Sequence, residues 1–244
     1  MENIVFLVVR TSSKRLPKKI LEKINGEFLI EFLIGRISKS VKLENIIVCT
    51  TSDESDNSLC EYLSKINIKF FRGDKENVLN RLHSAAKNFS VSRFIVVEGD
   101  DVLCEPELIA KTSQQLEKSG EVVFWKNLPI GVSPIGMKLK GLEKLVQKKI
   151  GSRSDTGWGK AIIDSGLVKV VEIEPEEKIM RPEFRLTVDY KEDLELVRKL
   201  ISSLPVHFTL LDIINKLDAN PEWIKINENA KKRYEENFKR KAVN

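Results

Sequence analysis

The sequence predicts an α/β fold around a mostly parallel sheet, and three observations lead there. Short β-branched runs alternate with helix-length amphipathic segments through the first 125 residues. The runs are apolar at successive positions, as strands buried on both faces must be. No internal repeat or low-complexity linker interrupts the alternation, so the whole chain, 1–244, reads as one domain.

The elements follow in order. "IVFLVV" (4–9) is the first strand and "EFLIEFLIGRISKS" (27–40) the first long amphipathic segment. "NIIVCT" (45–50) and "IKFF" (68–71) are the next strands, separated by a helical Asp53–Lys65 segment. "NVLNRLHSAAKNF" (77–89) has helical period, "RFIVVE" (93–98) is a strand, "PELIAKTSQQLEKSG" (106–120) a helix and "EVVFW" (121–125) a strand. These residues form a doubly wound half. After Trp125 the rhythm breaks in "NLPIGVSPIGMKLKG", and residues 126–180 are a candidate insertion with a short helix over Leu142–Lys149 and a strand at "VKVVEI" (168–173). "FRLTVD" (184–189) reads as a strand returning to the sheet. From Lys191 to the end, 191–244, the period is helical.

Composition narrows the chemistry. With 41 basic and 36 acidic residues the net charge is +5, spread along the chain and not gathered in one polybasic block, which argues against a nucleic-acid partner. Two histidines, His83 and His207, leave little for a zinc hydrolase or a Ser-His-Asp enzyme. Cys49, Cys60 and Cys104 form no C-x-x-C pair and suit a reducing compartment. The first apolar run is too short for a signal peptide, and nothing approaches a membrane span. A cytoplasmic protein with no membrane partner is expected.

The loop after the first strand carries the strongest signal. "VVRTSSKRLPKK" places Arg10, Lys14, Arg15, Lys18 and Lys19 within ten residues, at the sheet edge where open α/β folds bind ligands. It contains no glycine, so its cationic side chains, not close backbone N–H groups, have to meet an anion. Guanidinium and ammonium groups at this density match a nucleoside triphosphate of about four negative charges. Ser13 adds a hydroxyl and Pro17 stiffens the loop. A solvated basic turn is the plain alternative.

"RTSSKRLPKK" resembles the R-x-x-S-x-R-L-P-x-K signature of the cytidylyltransferases that activate sugar acids, the CMP-Kdo and CMP-sialate synthetases, and among them the spore-coat polysaccharide SpsF-like branch. "FFRGDKENVLNRLHSAAK", "VEGDDVLCEPELI" and "RPEFRLTVDYKEDLELVRKL" resemble further family segments in the same order. The resemblance spans nearly all of residues 1–235. It implies a Rossmann-like sheet of the nucleotide-diphospho-sugar transferase type, with an inserted dimerisation segment and a helical C-terminus. Arg10, Ser13, Arg15, Lys19, Gly99 and Arg81 fall on nucleotide-binding positions, with Lys18 where glycine is usual. Arg81 has another reading, pairing with Asp74 or Glu76 on its own helix.

The same resemblance implies that Asp100 and Asp189 hold Mg²⁺, a cation that takes carboxylates together with substrate phosphates. Each also fits a helix cap. Glu98 stands where the sugar-acid synthetases often carry glutamine and reads as a third metal contact or a polar strand end, and Asp101 as an outer group. Arg181 and Arg185 could meet an anionic acceptor, or Arg185 could lie on a strand surface. "DTGWGKAI" matches no motif, and Trp158 has packing as its default role. The function implied is transfer of CMP from CTP to a small anionic sugar acceptor with release of pyrophosphate, for surface polysaccharide biosynthesis. Arg15, Lys19, Asp100 and Asp189 form the catalytic set, in a homodimer joined through residues around 126–165. A nucleotide-sugar glycosyltransferase or a non-catalytic nucleotide-binding module are the alternatives.

Overall fold

The computed structural model describes residues 3–13, 15–151 and 157–242; Lys14 and the 152–156 stretch, with Arg153 and the start of "DTGWGKAI", lie outside it. In chain order the elements are β1 (Val5–Val8), β2 (Lys23–Ile24), β3 (Glu27–Phe28), α1 (Leu29–Ile37), β4 (Ile46–Thr51), α2 (Asn57–Lys65), β5 (Lys69–Gly73), α3 (Val78–Asn88) and β6 (Arg93–Glu98). They continue with α4 (Pro106–Lys118), β7 (Val122–Trp125), β8 (Ile135–Lys138), α5 (Leu139–Gln147), α6 (Trp158–Ser165), β9 (Val170–Ile173), α7 (Lys191–Ser203), α8 (Leu210–Asp218) and α9 (Glu228–Ala242).

Seven strands form one sheet in the order β5-β4-β1-β6-β8-β7-β9, while β2 and β3 make a separate hairpin. The pairs β4–β5, β1–β4, β1–β6 and β7–β9 are parallel, and β8 runs antiparallel to both β6 and β7. Alternation along β1 explains the layers. Val5 and Leu7 face a core shared with α1, α2, α4, α7 and α8, whereas Phe6 and Val8 face a second core packed under α3, α5 and α6. All four side chains are buried, which is why the run lacks the polar alternation of a one-sided sheet. Phe6 and Phe94 meet across the pair with ring centroids 4.5 Å apart.

Helix ends follow local chemistry. Asn77 caps α3 by accepting from the Asn80 N–H, Pro106 opens α4, and Thr209 and Asp212 cap α8 reciprocally. All three cysteines are free and buried, and burial pushes the Cys49 thiol up to about 12, so it stays protonated. Among the described residues no helix is long and apolar enough to cross a membrane.

Two expectations change. Residues 184–189 form no strand of the sheet, only a bridge between Ile130 and Arg185. Their backbone is satisfied elsewhere: the Leu186 N–H donates to the Ile130 carbonyl at 2.7 Å and the Val188 N–H to the Asp100 carbonyl at 2.8 Å. The β-branched residues there serve to bury an extended stretch above the sheet edge. Conversely, "IGMK" inside the glycine- and proline-rich segment is β8, a central strand, and β9 extends the edge. Within the 126–180 segment, β8 and β9 thus belong to the sheet, β9 at the strand expected over 168–173.

The basic loop is anchored by a residue absent from the sequence reading. Asp56, fully buried before α2, accepts the Thr11 N–H and hydroxyl at 2.7 Å each, the Thr50 hydroxyl at 2.9 Å, the Thr51 N–H at 3.1 Å and the Thr51 hydroxyl. Burial opposes its charge, but these hydrogen bonds outweigh burial and its carboxyl lies below the usual range. A lowered folded-state pKa stabilises above the unfolded value of about 4, and that stability fades as pH falls through the folded value. Asp56→Asn should thus cost about 3 kcal/mol near neutrality, with the gap narrowing below about pH 4. Denaturant melts of both proteins across pH check this; a gap constant with pH would refute the assignment.

Candidate active site

The C-terminal ends of the parallel strands define one rim. From β1 comes the loop with Arg10, Ser13, Arg15 and Lys19, and from β6 come Glu98, Gly99, Asp100 and Asp101. Gly99 is there because a Cβ would lie 2.8 Å from Val9 Cγ2 and 3.0 Å from the Val8 carbonyl oxygen, so only glycine lets the two strand ends close up. Lys18 adopts a left-handed conformation, φ +56°, which suits the glycine expected there and strains lysine, and its N–H closes the loop onto the Thr11 carbonyl at 2.9 Å.

Lys19 joins the distant segments. Its Nζ lies 3.1 Å from Asp100 Oδ2 and 3.0 Å from Asp189 Oδ1, and Arg15 adds a bond to the same Asp189 oxygen at 2.5 Å. Burial opposes the charge of Asp189, but Lys19, Arg15 and Arg185 outweigh burial and hold its carboxyl at about 2. Burial likewise opposes the Lys19 charge, and the two aspartates more than compensate, raising it.

Beneath Asp189 is a second buried charge group. Arg185 donates to Asp189 Oδ2 at 3.1 Å and holds both oxygens of Asp193 at 2.9 Å. Asp193 also accepts the Asp189 and Tyr190 N–H groups at the start of α7 and the Asn227 amide. Arg185 is therefore an interior strut, 2% exposed, and not a strand-surface residue. Its guanidinium packs 4.7 Å from the Tyr234 ring centroid on α9. Arg181 instead pairs with Asp218 at the surface.

Two adjoining cavities meet at this rim. The first is lined by Arg10, Ser13, Arg15, Lys19, Arg81, Gly99 and Asp100, together with apolar Val8, Val9, Ile20 and Val78. Arg81 is buried, donates to the Asp74 carbonyl at 2.7 Å and leaves its Nε unpaired among the described residues. It belongs to the floor of this cleft, not to an exposed helix face. The second, about 350 Å³, shares Arg15, Glu98 and Asp100 and adds Asp101, Trp125, Thr187, Asp189 and Tyr234. Phe124, Trp125, Tyr234 and the loop 127–135 give it aromatic and apolar walls.

Glu98, Asp100 and Asp101 can offer three carboxylate oxygens within 4.8 Å of one another. Burial and the neighbouring Asp100 charge push Glu98 up to about 7, and burial with Asp100 raises Asp101 as well. Excess negative charge of this kind, on hard oxygen donors, fits a divalent cation. Trp158 donates its indole N–H to Glu98 Oε1 at 2.9 Å.

The cytidylyltransferase family model matches residues 4–208. This chain belongs to the cytidylyltransferase family. The cytidylyltransferase fold also appears in the structural comparison: a cytidylyltransferase of Leptospira borgpetersenii superposes with TM-score 0.83 at 24% identity, covering 92% of this chain and 97% of that one. The spore coat polysaccharide biosynthesis protein SpsF of Bacillus subtilis is 25% identical over 91% of this chain and 97% of its own. A CMP-2-keto-3-deoxy-manno-octonic acid synthetase, solved with CTP, has TM-score 0.63 at 15% identity over 83% of this chain and 99% of that one. The resemblance read from the motifs and the expected fold class both hold.

Asp56, Asp193, Asn227 and Tyr234 are contributors that motif reading missed. No periodicity marks them, although Asp193 stands at the third position of α7, where a carboxylate caps the helix. Replacing Asp193 by Asn would leave the Arg185 charge buried with weaker compensation and should cost about 3–5 kcal/mol. Equilibrium denaturation measures this; a loss below about 1 kcal/mol would contradict the strut.

Proposed function

We propose that this cytidylyltransferase transfers CMP from CTP to a hydroxyl of a sugar acid and releases pyrophosphate, with Mg²⁺, in the making of a surface polysaccharide. The observation that carries the reading is the meeting of Arg15, Lys19, Asp100 and Asp189 where the two cavities join. A triphosphate in the first cavity and an acceptor in the second would bring the α-phosphorus and the hydroxyl together at that junction.

In-line attack forms the new P–O bond at the α-phosphorus as the bond to pyrophosphate breaks, and the hydroxyl proton passes to water. No covalent enzyme intermediate is needed, in keeping with two histidines and buried, protonated thiols. Arg10, Arg15 and Lys19 offset the charge growing on the α-phosphate and the departing pyrophosphate. For this Arg15 and Lys19 exchange a carboxylate partner for a phosphate oxygen, and Asp189, retained by Arg185, keeps both close to hand. Asp100 and Asp189, with Glu98 and Asp101, are the carboxylates available to hold Mg²⁺. When bound, the cation supplies a Lewis acid that neutralises phosphate charge and orients the triphosphate.

Pyrophosphate release from each nucleoside triphosphate, with Mg²⁺ and a panel of 2-keto-3-deoxy sugar acids, tests the reaction. CTP with an acid acceptor should turn over and chelation should abolish it. Asp100→Asn or Asp189→Asn should reduce turnover by at least about a hundredfold, and Arg15→Ala should weaken CTP binding. Full turnover in both aspartate variants, or unaltered CTP affinity in the arginine variant, would overturn the site.

The homodimer belongs to the same proposal. It would join through residues around 126–165, and the exposed apolar Ile163 within that stretch supports the reading. Light scattering should give twice the chain mass of 27.9 kDa, and a monomer at micromolar concentration would dismiss it.

A further inference from the structure

Among the described residues of "DTGWGKAI", Trp158 is the one that hydrogen-bonds a rim carboxylate. It opens α6, entered through Gly157 in a left-handed conformation, φ +81°, and its side chain is buried to 2% exposure in the core beneath the sheet. Packing therefore fixes the indole before any ligand arrives, and its N–H is aimed at a set point. That point is Glu98 Oε1, 2.9 Å away. Among the described residues no other hydrogen bond reaches the Glu98 carboxylate, which offers an oxygen to the cluster with Asp100 and Asp101.

A tryptophan buried only for its volume would not need a carboxylate partner, and a glutamate at a strand end would ordinarily turn toward water. Here the carboxylate is retained inward, against two others that repel it. Asp100 is held by Lys19, whereas the Glu98 carboxylate has, among the described residues, this single neutral donor. Partners that orient a metal-binding carboxylate in this way set its affinity without touching the ion.

We infer that Trp158 is a positioning residue for the cation site, pinning Glu98 in the orientation that lets it join Asp100 and Asp101 around a divalent ion. The inference rests on the cation reading proposed above and extends it from the rim to α6. Gly157, the preceding residue, lines the acceptor cavity, so the same helix start touches both the acceptor wall and the cation cluster.

The probe is Mn²⁺ alone, titrated into the full chain by calorimetry and by tryptophan fluorescence, which the paramagnetic ion quenches at short range. Wild type should show saturable quenching. Trp158→Phe keeps an aromatic ring in the core but removes the donor; read by calorimetry, it should bind Mn²⁺ about tenfold or more weakly. Glu98→Gln leaves Trp158 in place and should abolish the quenching while shifting the tryptophan emission, which keeps the test alive should Trp158→Phe fold poorly. In the double variant the Phe substitution should add nothing to the loss caused by Gln, since it acts through Glu98. Equal Mn²⁺ affinity in wild type and Trp158→Phe, additive losses in the double variant, or no saturable Mn²⁺ binding to wild type below about millimolar would each overturn the inference. None of these readouts needs CTP turnover, so absence of pyrophosphate release with the cycle intact would count against the proposed reaction and not against Trp158.

Discussion

Everything at the rim depends on one buried ammonium shared between two carboxylates. Lys19 lies 3.0 Å from Asp189 and 3.1 Å from Asp100, residues 170 and 81 positions away in the chain. Isolated, any of the three charges would be expensive to hold out of water; together they compensate one another. The arrangement forces the N-terminal loop, the end of β6 and the stretch before α7 into one place. It also leaves the cationic groups poised and already stripped of part of their hydration.

Two further anchors make that geometry rigid from opposite sides. Asp56 ties the start of the loop to the end of β4 through Thr11, Thr50 and Thr51. Arg185, Asp193 and Asn227 fix Asp189 from below and connect it to the C-terminal helices. The Asp56 group has both carboxylate oxygens hydrogen-bonded, and Arg185 is bonded through Nε and Nη2, so each buried group specifies the structure around it. Between them the loop needs no glycine except at Lys18, where the backbone still takes a glycine-like conformation.

The parallel half was legible because burial on both faces leaves its mark at successive positions: β1 is apolar throughout, and β4 and β6 carry uninterrupted apolar stretches at 46–49 and 94–97. The basic loop was legible from its density of charge next to β1, and its motif carried the family. What could not be read was pairing between distant residues. Asp56, Asp193 and Trp158 have no periodicity that identifies their partners. β8 was hidden by Gly136 and by the prolines near it, since its short, half-polar run is paired on both sides by neighbours that supply the burial. "FRLTVD" erred the other way: its β-branched residues are buried against a loop, so strand-like composition arose without a place in the sheet.

The reversed strand has a consequence for how such an enzyme can diversify. Because β8 runs opposite to β6 and β7, the turn linking β7 to β8, residues 126–134, crosses the ligand edge and forms a wall of the second cavity, while the basic loop after β1 and the end of β6 lie on the other side. Gly131 fastens that turn, its Cα packed so closely on the Thr187 backbone that a Cβ would fall 2.2 Å from the Thr187 nitrogen. Exchange of the residues around this clasp would remodel the second cavity without altering strand order or the neighbouring cleft beside the basic loop. The fold is thereby divided into a fixed rim and a replaceable wall along a single hairpin.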